Sequence, residues 1–113
     1  MRAMICMPMA GKTDQEIRDT YRNTKEHLEC LGYEVENTLF DMDNDWLVAR
    51  GYRHIPLVYL AESLRAMSRC DAVYYCEGWG NNRGCVIENA AAVAYGLATV
   101  CVPERMKEDG KDV

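Results

Sequence analysis

The chain has 113 residues, of which 49% are hydrophobic and 27% are charged, which is typical of one domain. Its net charge of −5, from 13 Lys and Arg against 18 Asp and Glu, argues against a nucleic-acid clamp, because such proteins carry a strongly basic face. No stretch approaches the roughly 20 consecutive apolar residues that span a membrane. We therefore expect a single globular domain that binds neither nucleic acid nor a membrane. The negative net charge does not exclude binding of small anionic ligands, because backbone N–H groups at a helix start bind phosphates.

The N-terminus and the cysteines bear on the cellular compartment. Residues 1–8 hold one positive charge and a short apolar run ending in Pro8, which is typical of a first strand rather than of a signal peptide. Six cysteines stand mostly among apolar neighbours: Cys6, Cys30, Cys70, Cys76, Cys85 and Cys101. They are interpreted as reduced core thiols of a cytoplasmic protein. His27 and His54 lack ligand-like spacing, so we expect no metal site and no cofactor.

Strand and helix patterns alternate along the first part of the chain. An apolar run over residues 3–7 predicts the first strand, and the capping-box pattern Thr13-x-x-Glu16 starts a helix that Gly32 ends. The apolar positions of this helix recur at spacings of three and four: Ile17, Tyr21, Thr24, Leu28 and Leu31. In residues 33–37 apolar and polar side chains alternate, which predicts a short second strand.

Residues 38–54 lack clear periodicity and are interpreted as a long loop that allows one helical turn near residues 46–50. A structureless loop longer than about 12–15 residues is usually functional or disordered, and Trp46 and Tyr52 argue against plain disorder. The acidic run Asp41–Asp45 has two interpretations. It is either a solvated acidic loop or a lid that supplies a carboxylate to an active site.

The rest of the chain continues the alternation. The predicted elements are a helix from Pro56 to Met67, a strand over 72–76, an alanine-rich helix over 86–95 and a last strand over 98–102. Residues 1–103 then form the predicted domain, and residues 104–113 form a charged tail.

This order predicts a small three-layer, Rossmann-like (flavodoxin-like) α/β fold, in which an open parallel sheet has helices on both faces. Right-handed crossovers give the strand order 2-1-3-4. Ligands of such sheets bind beyond the carboxyl ends of the strands, where the winding reverses. That point lies between strand one and strand three, and the glycine-bearing loops 8–12 and 77–84 both emerge there. The end of strand one and the loop after it supply the candidate binding residues Met7, Pro8, Met9 and Gly11.

The segment 78–88 carries the strongest signal of a site. Asn81 or Asn82 can cap the alanine-rich helix and leave N–H groups aimed at the reversal point. Glu88 lies about 9 Å further along the helix axis. The predicted buried stripe comprises Ile87, Ala91, Ala94 and Leu97 or Ala98. Glu88 falls on the flank of that stripe, so on spacing alone it is either a surface carboxylate or one that faces the crevice.

Several segments together match the pattern of a known family. They are Pro8-Met9-Ala10-Gly11, Gly32-Tyr33-Glu34-Val35-Glu36-Asn37, Cys70-Asp71-Ala72-Val73, Gly78-Trp79, and Gly84-Cys85-x-x-Glu88 with Ala91, Ala92 and Gly96. The chain resembles the nucleoside 2-deoxyribosyltransferase-like superfamily over roughly residues 3–102, and most closely a small branch common in phages and bacteria. The stretch from Trp79 to Glu88 is the most specific part of the resemblance.

The resemblance implies a homo-oligomer that cleaves or exchanges the N-glycosidic bond of 2′-deoxynucleosides, or hydrolyses deoxynucleoside monophosphates. Glu88 matches the family's nucleophile, which attacks the anomeric carbon. Asn82 falls where the monophosphate hydrolases have a phosphate-holding serine. With the amides up to Gly84 and Cys85, it is implied to hold a phosphate or a sugar hydroxyl. Trp79 is either a wall for the base or an anchor in the core.

Two places depart from the family pattern. The branch usually has Tyr-x-Ser-Gly-Pro at the end of strand one, and this chain has Met4-Ile5-Cys6-Met7-Pro8, so the tyrosine and glycine of the sugar pocket are missing. The second catalytic carboxylate falls at Ser63, with Glu62 next to it. Adjacent helical residues point about 100° apart, so Glu62 is not an automatic substitute.

The leading hypothesis is an N-glycosidase or deoxyribosyltransferase that uses Glu88 as nucleophile and takes a small-molecule nucleoside or nucleotide. The alanine-rich helix permits close approach of another element, which favours a homodimer or higher homo-oligomer. A second hypothesis is a nucleotide-binding or sensor module that kept the fold and lost hydrolysis. A third is a structural homo-oligomer with no small-molecule function.

Overall fold

The computed structural model describes residues 1–100, which form an all-parallel four-stranded sheet with the order β2-β1-β3-β4. The strands are β1 (Arg2–Cys6), β2 (Glu34–Val35), β3 (Ala72–Tyr75) and β4 (Ala98–Thr99). The helices are α1 (Asp14–Cys30), α2 (Asn44–Ala49), α3 (Ile55–Met67) and α4 (Arg83–Ala94), with a 3₁₀ turn at Trp79–Asn81. The predicted α/β class and strand order are confirmed. Cys101, the end of the last predicted strand and the predicted tail lie outside the described residues.

The side chains of β1 are divided between two cores, one on each face of the sheet. One core combines Ala3, Ile5 and Met7 with Tyr21 and Leu28 of α1. The other combines Met4 and Cys6 with Met67 of α3 and with Cys85 and Ala92 of α4. Because successive strand residues point to opposite faces, this alternation produces three layers, with α1 on one side and α3 and α4 on the other. Cys6, the last residue of β1, therefore points towards α4.

α1 begins with the predicted capping box. The Glu16 N–H donates to Thr13 Oγ1 at 3.1 Å, and the Thr13 N–H donates to Glu16 Oε1 at 2.8 Å. Of the predicted apolar face, Tyr21 and Leu28 are buried, as expected for a helix that covers a sheet. Leu31 caps the C-terminal end of the helix and is 54% exposed.

Several boundaries differ from the predicted ones: α4 begins at Arg83 rather than at residue 86, and β3 ends at Tyr75 rather than at residue 76. β2 covers Glu34 and Val35 alone, because these are the residues that pair with β1. The segment 38–54 contains the six-residue helix α2. This helix begins where Asp43 Oδ1 accepts a hydrogen bond from the Trp46 N–H at 3.1 Å.

The buried face of α4 also differs from the predicted one. Cys85, Glu88 and Ala92 are buried, whereas Ile87 is 41% exposed. The predicted stripe is therefore right for Ala91 and Leu97, which pack against the core, and wrong for Ile87 and Ala94, which are exposed. Glu88 belongs to the buried face. α4 is apolar on nearly every side, so composition does not mark an inner face. The start of the helix is fixed instead by Asn82 Oδ1, which accepts from the Cys85 N–H at 3.0 Å.

The cysteines of the described residues are free thiols. Cys6, Cys76 and Cys85 are buried in the two cores, Cys70 is partly buried and Cys30 is exposed. Within residues 1–100, no helix is both long enough and apolar enough to cross a membrane.

Candidate active site

A cavity of about 500 Å³ lies at the carboxyl ends of β1 and β2, bordered by α1, α3 and the start of α4. This is the size range of small-molecule sites. The predicted binding residues that line it are Met7, Met9, Asn82, Gly84 and Cys85. The predicted catalytic residues Glu88 and Ser63 line it as well. The structure thus brings together the end of β1 and the start of α4 at the edge where the winding reverses.

Five predicted residues lie outside the lining: Pro8, Gly11, Trp79, Asn81 and Glu62. The Trp79 ring packs on Tyr75 with centroids 4.8 Å apart, so it anchors the core on the α4 side of the sheet. Glu62 is paired with Arg65 on the next turn of α3, at 3.5 Å. Pro8 packs near Gly78, where a Cβ would lie 3.8 Å from the proline Cγ.

Glu88 is the buried carboxyl group of the cavity, with 9% of its surface exposed. Burial raises the pKa of this carboxyl above its usual range, and hydrogen bonds with Cys6 and Ser63 oppose the shift because they favour the ionised form. A titratable side chain with such a perturbed pKa inside a cavity is a typical mark of a functional group.

The thiol of Cys6 interacts with Glu88 from the core on the α4 side of the sheet. A hydrogen bond with Cys85, burial and the nearby Glu88 charge all raise the pKa of the Cys6 thiol far above its usual value. The thiol therefore stays protonated, and it acts as a hydrogen-bond donor rather than as a nucleophile.

The N-terminal end of α4 faces the same cavity. Asn82 occupies the cap position and satisfies the Cys85 N–H, while the first backbone N–H groups of a helix have no partner within it. Gly84, in the first turn, adds no side chain between this backbone and the cavity. The arrangement can hold an oxygen-rich group of a ligand.

Sequence reasoning missed the wall contributed by α1. Asp14 and Arg18 line the cavity, and Arg18 Nε donates to Asp14 Oδ2 at 2.9 Å. The hydrogen bond and charge of Asp14, followed by the charge of Asp41, raise the pKa of Arg18. The signal that could have located this wall is the position of the first turn of α1, which directly follows the loop after β1.

The segment after β2 forms a second wall that was only partly anticipated. Thr38 and Asp41 line the cavity, and the Thr38 hydroxyl donates to the Ile5 carbonyl at 3.2 Å. At its far end the segment is tied to α3, because the Tyr59 hydroxyl donates to the Met42 carbonyl at 3.4 Å. One carboxylate of the acidic run thus reaches the cavity, while Asp43 of the same run caps α2.

Within residues 1–100, no group of three or more His, Cys, Asp or Glu side chains is arranged to hold a metal ion.

The fold and cavity define a small Rossmann-like α/β protein whose site lies where ligands of open parallel sheets bind. The chain belongs to the family described as Domain of unknown function (DUF4406), which matches residues 1–101. Comparisons with curated proteins and with solved structures found no significant match.

Proposed function

We propose that this protein cleaves or exchanges the N-glycosidic bond of nucleosides or deoxynucleoside monophosphates, with Glu88 as the nucleophile. The observation that carries the proposal is the buried Glu88 carboxyl in a cavity of about 500 Å³ at the carboxyl edge of the sheet. Burying a carboxylate is unfavourable unless it is paired or hydrogen-bonded, so a carboxyl group kept buried in a cavity is a candidate functional group. The resemblance to the nucleoside 2-deoxyribosyltransferase-like superfamily supports the same assignment.

In the proposed reaction, a Glu88 carboxylate oxygen attacks C1′ of the sugar. The new C1′–O bond forms as the C1′–N bond breaks, and the bonding electrons leave with the base, which takes up a proton. Water or a second base then attacks C1′ and releases Glu88 as a carboxylate. Hydrogen bonds from Cys6 and Ser63 stabilise the ionised carboxylate that this step requires.

The departing base needs a proton donor. In the family that this chain resembles, the donor is a carboxyl group at the position that Ser63 occupies here. A serine hydroxyl does not supply a proton at neutral pH, and Glu62 lies outside the lining and pairs with Arg65. Asp14 and Asp41 are the other carboxyl groups that line the cavity. The serine at this position favours a second candidate function, a nucleotide-binding or sensor module that has lost hydrolysis.

One experiment separates these candidates. We expect thermal unfolding to shift upward with nucleosides or nucleotides, because a ligand that binds only the folded state stabilises it. Chromatography of the same mixtures is expected to show free base. Binding without base release would favour the sensor module, and neither binding nor release would contradict both candidates and leave a structural homo-oligomer.

We also propose that the protein is a cytoplasmic homodimer that pairs through the outer face of α4. On this face Val86, Ile87 and Val93 are 43%, 41% and 68% exposed, and contiguous exposed apolar surface is typical of interfaces. The free thiols of the described residues fit a reducing compartment.

Light scattering is expected to give twice the 12.9 kDa chain mass for the wild type. Val93→Glu is expected to give the mass of one chain, because a charge would be buried in the interface. Val48→Glu, at an equally exposed valine of α2, serves as the matched control and should leave the mass unchanged. A wild type with the mass of one chain would contradict the dimer.

A further inference from the structure

The cavity carries an unbalanced set of charges. Its lining contains the carboxyl groups of Asp14, Asp41 and Glu88 against one cation, the guanidinium of Arg18. Three carboxylates and one guanidinium leave two negative charges, or one when Glu88 is protonated. The cavity is therefore negative in either protonation state of Glu88.

The cation of the lining is already engaged. Arg18 Nε donates to Asp14 Oδ2 at 2.9 Å, and Asp41, in the segment after β2, attracts the same guanidinium. A phosphate that reached the Nη groups of Arg18 would still meet the carboxylates of Asp14 and Asp41, which already offset the guanidinium charge. The total charge would stay unfavourable for an anion.

Other positive groups near this edge do not line the cavity. Lys12, in the loop after β1, and Arg83, the first residue of α4, are exposed and stand outside the lining. The N-terminal end of α4 contributes roughly half a positive charge, and Asn82 Oδ1 takes up the Cys85 N–H there. That partial charge is smaller than the carboxylate excess. It suits a neutral hydroxyl better than a phosphate, which carries about −1.5 to −2 at neutral pH.

We propose that the cavity selects an uncharged nucleoside over the corresponding 5′-monophosphate, and that Asp14 and Asp41 are the residues that set this preference. The proposal rests on the proposed N-glycosidic function. It chooses between the two substrate classes named there, nucleosides and deoxynucleoside monophosphates. Asp14 and Arg18 are more than half exposed, with 82% and 58% of their side chains accessible. The discrimination is therefore screened by salt.

The test measures the dissociation constants of a 2′-deoxynucleoside and its 5′-monophosphate with the wild-type protein, at low and at high ionic strength. At low ionic strength we expect the nucleoside to bind about tenfold more tightly, and the ratio to shrink as salt is added. Asp14→Asn combined with Asp41→Asn keeps the side-chain size and removes two charges. It is expected to tighten monophosphate binding by about tenfold, and to change the affinity for the nucleoside by a smaller factor. Asp19→Asn is the matched control, because Asp19 lies on the same helix, pairs with Arg22 and does not line the cavity.

The possible results differ in what they overturn. Monophosphate binding as tight as or tighter than nucleoside binding overturns the charge argument and leaves the proposed function intact. An equal gain in monophosphate affinity from Asp19→Asn overturns the assignment to Asp14 and Asp41, because a remote charge would then act as well as those in the lining. If neither ligand binds and no base is released, the proposed function fails and this proposal fails with it.

Discussion

The Glu88→Gln variant is expected to release base at least about a thousandfold more slowly than the wild type, because an amide does not form the bond to C1′ that a carboxylate forms. The amide keeps the size of the side chain and still accepts hydrogen bonds from Cys6 and Ser63. Ligand binding should therefore remain while turnover disappears. Base release by chromatography and the ligand-induced shift of the unfolding temperature measure the two quantities separately.

The same variant is expected to unfold at a higher temperature at neutral pH. Burial raises the pKa of Glu88 in the folded state, so folding favours the protonated form. The stability contributed by this group is complete below the ordinary glutamate pKa and is lost as the pH rises through the raised value. At neutral and higher pH the neutral amide avoids that loss, and each 1 kcal/mol gained raises the unfolding temperature by about 4 °C or more in a domain of this size.

A pH series and a control complete this test. The gain from Glu88→Gln should vanish in acid, where the glutamate is protonated too, and Glu26→Gln on the exposed side of α1 should change neither stability nor base release. As a nucleophile Glu88 acts ionised, so wild-type turnover should rise with pH through its raised pKa. Turnover that falls through this range, or a Glu88→Gln protein that keeps most of its activity, would contradict the assigned role.

Ser63→Asp is expected to raise base release by about 10²–10⁴-fold, the usual contribution of a general acid. Ser63 lines the cavity and hydrogen-bonds to Glu88, so an introduced carboxyl would stand beside the proposed nucleophile. Two adjacent carboxylates cannot both ionise freely, and one of the pair keeps its proton to a higher pH. That proton is the one the departing base requires.

The comparison needs three further proteins. Ser63→Asn has nearly the same size as Ser63→Asp and carries no acidic proton, so it should not accelerate the reaction. Ser63→Asp combined with Glu88→Gln should be inactive, since the acid alone does not form the bond to C1′. Asp41→Asn tests whether the wild type takes its proton from the wall after β2. Brisk wild-type turnover that Ser63→Asp lowers, and that Asp41→Asn leaves intact, would show that no acid is missing at this position.

Local rules predicted the fold well. The capping box of α1 and the glycine after it are short-range signals, and the order of strands and helices with right-handed crossovers sufficed for the sheet. α2 was anticipated only as one helical turn near residues 46–50, because its signal is a single cap, Asp43, before six residues without clear periodicity. A helix that short depends on packing rather than on pattern.

The candidate site was predictable where it follows one strand and one helix start. Met7, Asn82 and Glu88 belong to such segments, and they line the cavity. The orientation of Glu88 was not predictable, because an apolar helix has no preferred inner side until it packs. Arg18 and Tyr59 escaped notice since they come from helices whose meeting at one cavity depends on tertiary structure.

The central place of β1 determines how firmly different parts of the site are held. β1 is paired with β3 from Ala3 to Cys6 and with β2 at Arg2 and Ala3, and it is covered on both faces, so we expect its amides to be among the slowest of the domain to exchange their hydrogens. The wall after β2 belongs to no strand or helix and is tied to the sheet through Thr38 and to α3 through Tyr59. The Cys6 thiol beside Glu88 thus belongs to a strand that we expect to persist longest, whereas Asp41 belongs to a segment that we expect to open locally. We therefore expect small molecules to enter and leave the cavity through local opening of that segment, without unfolding of the central strands.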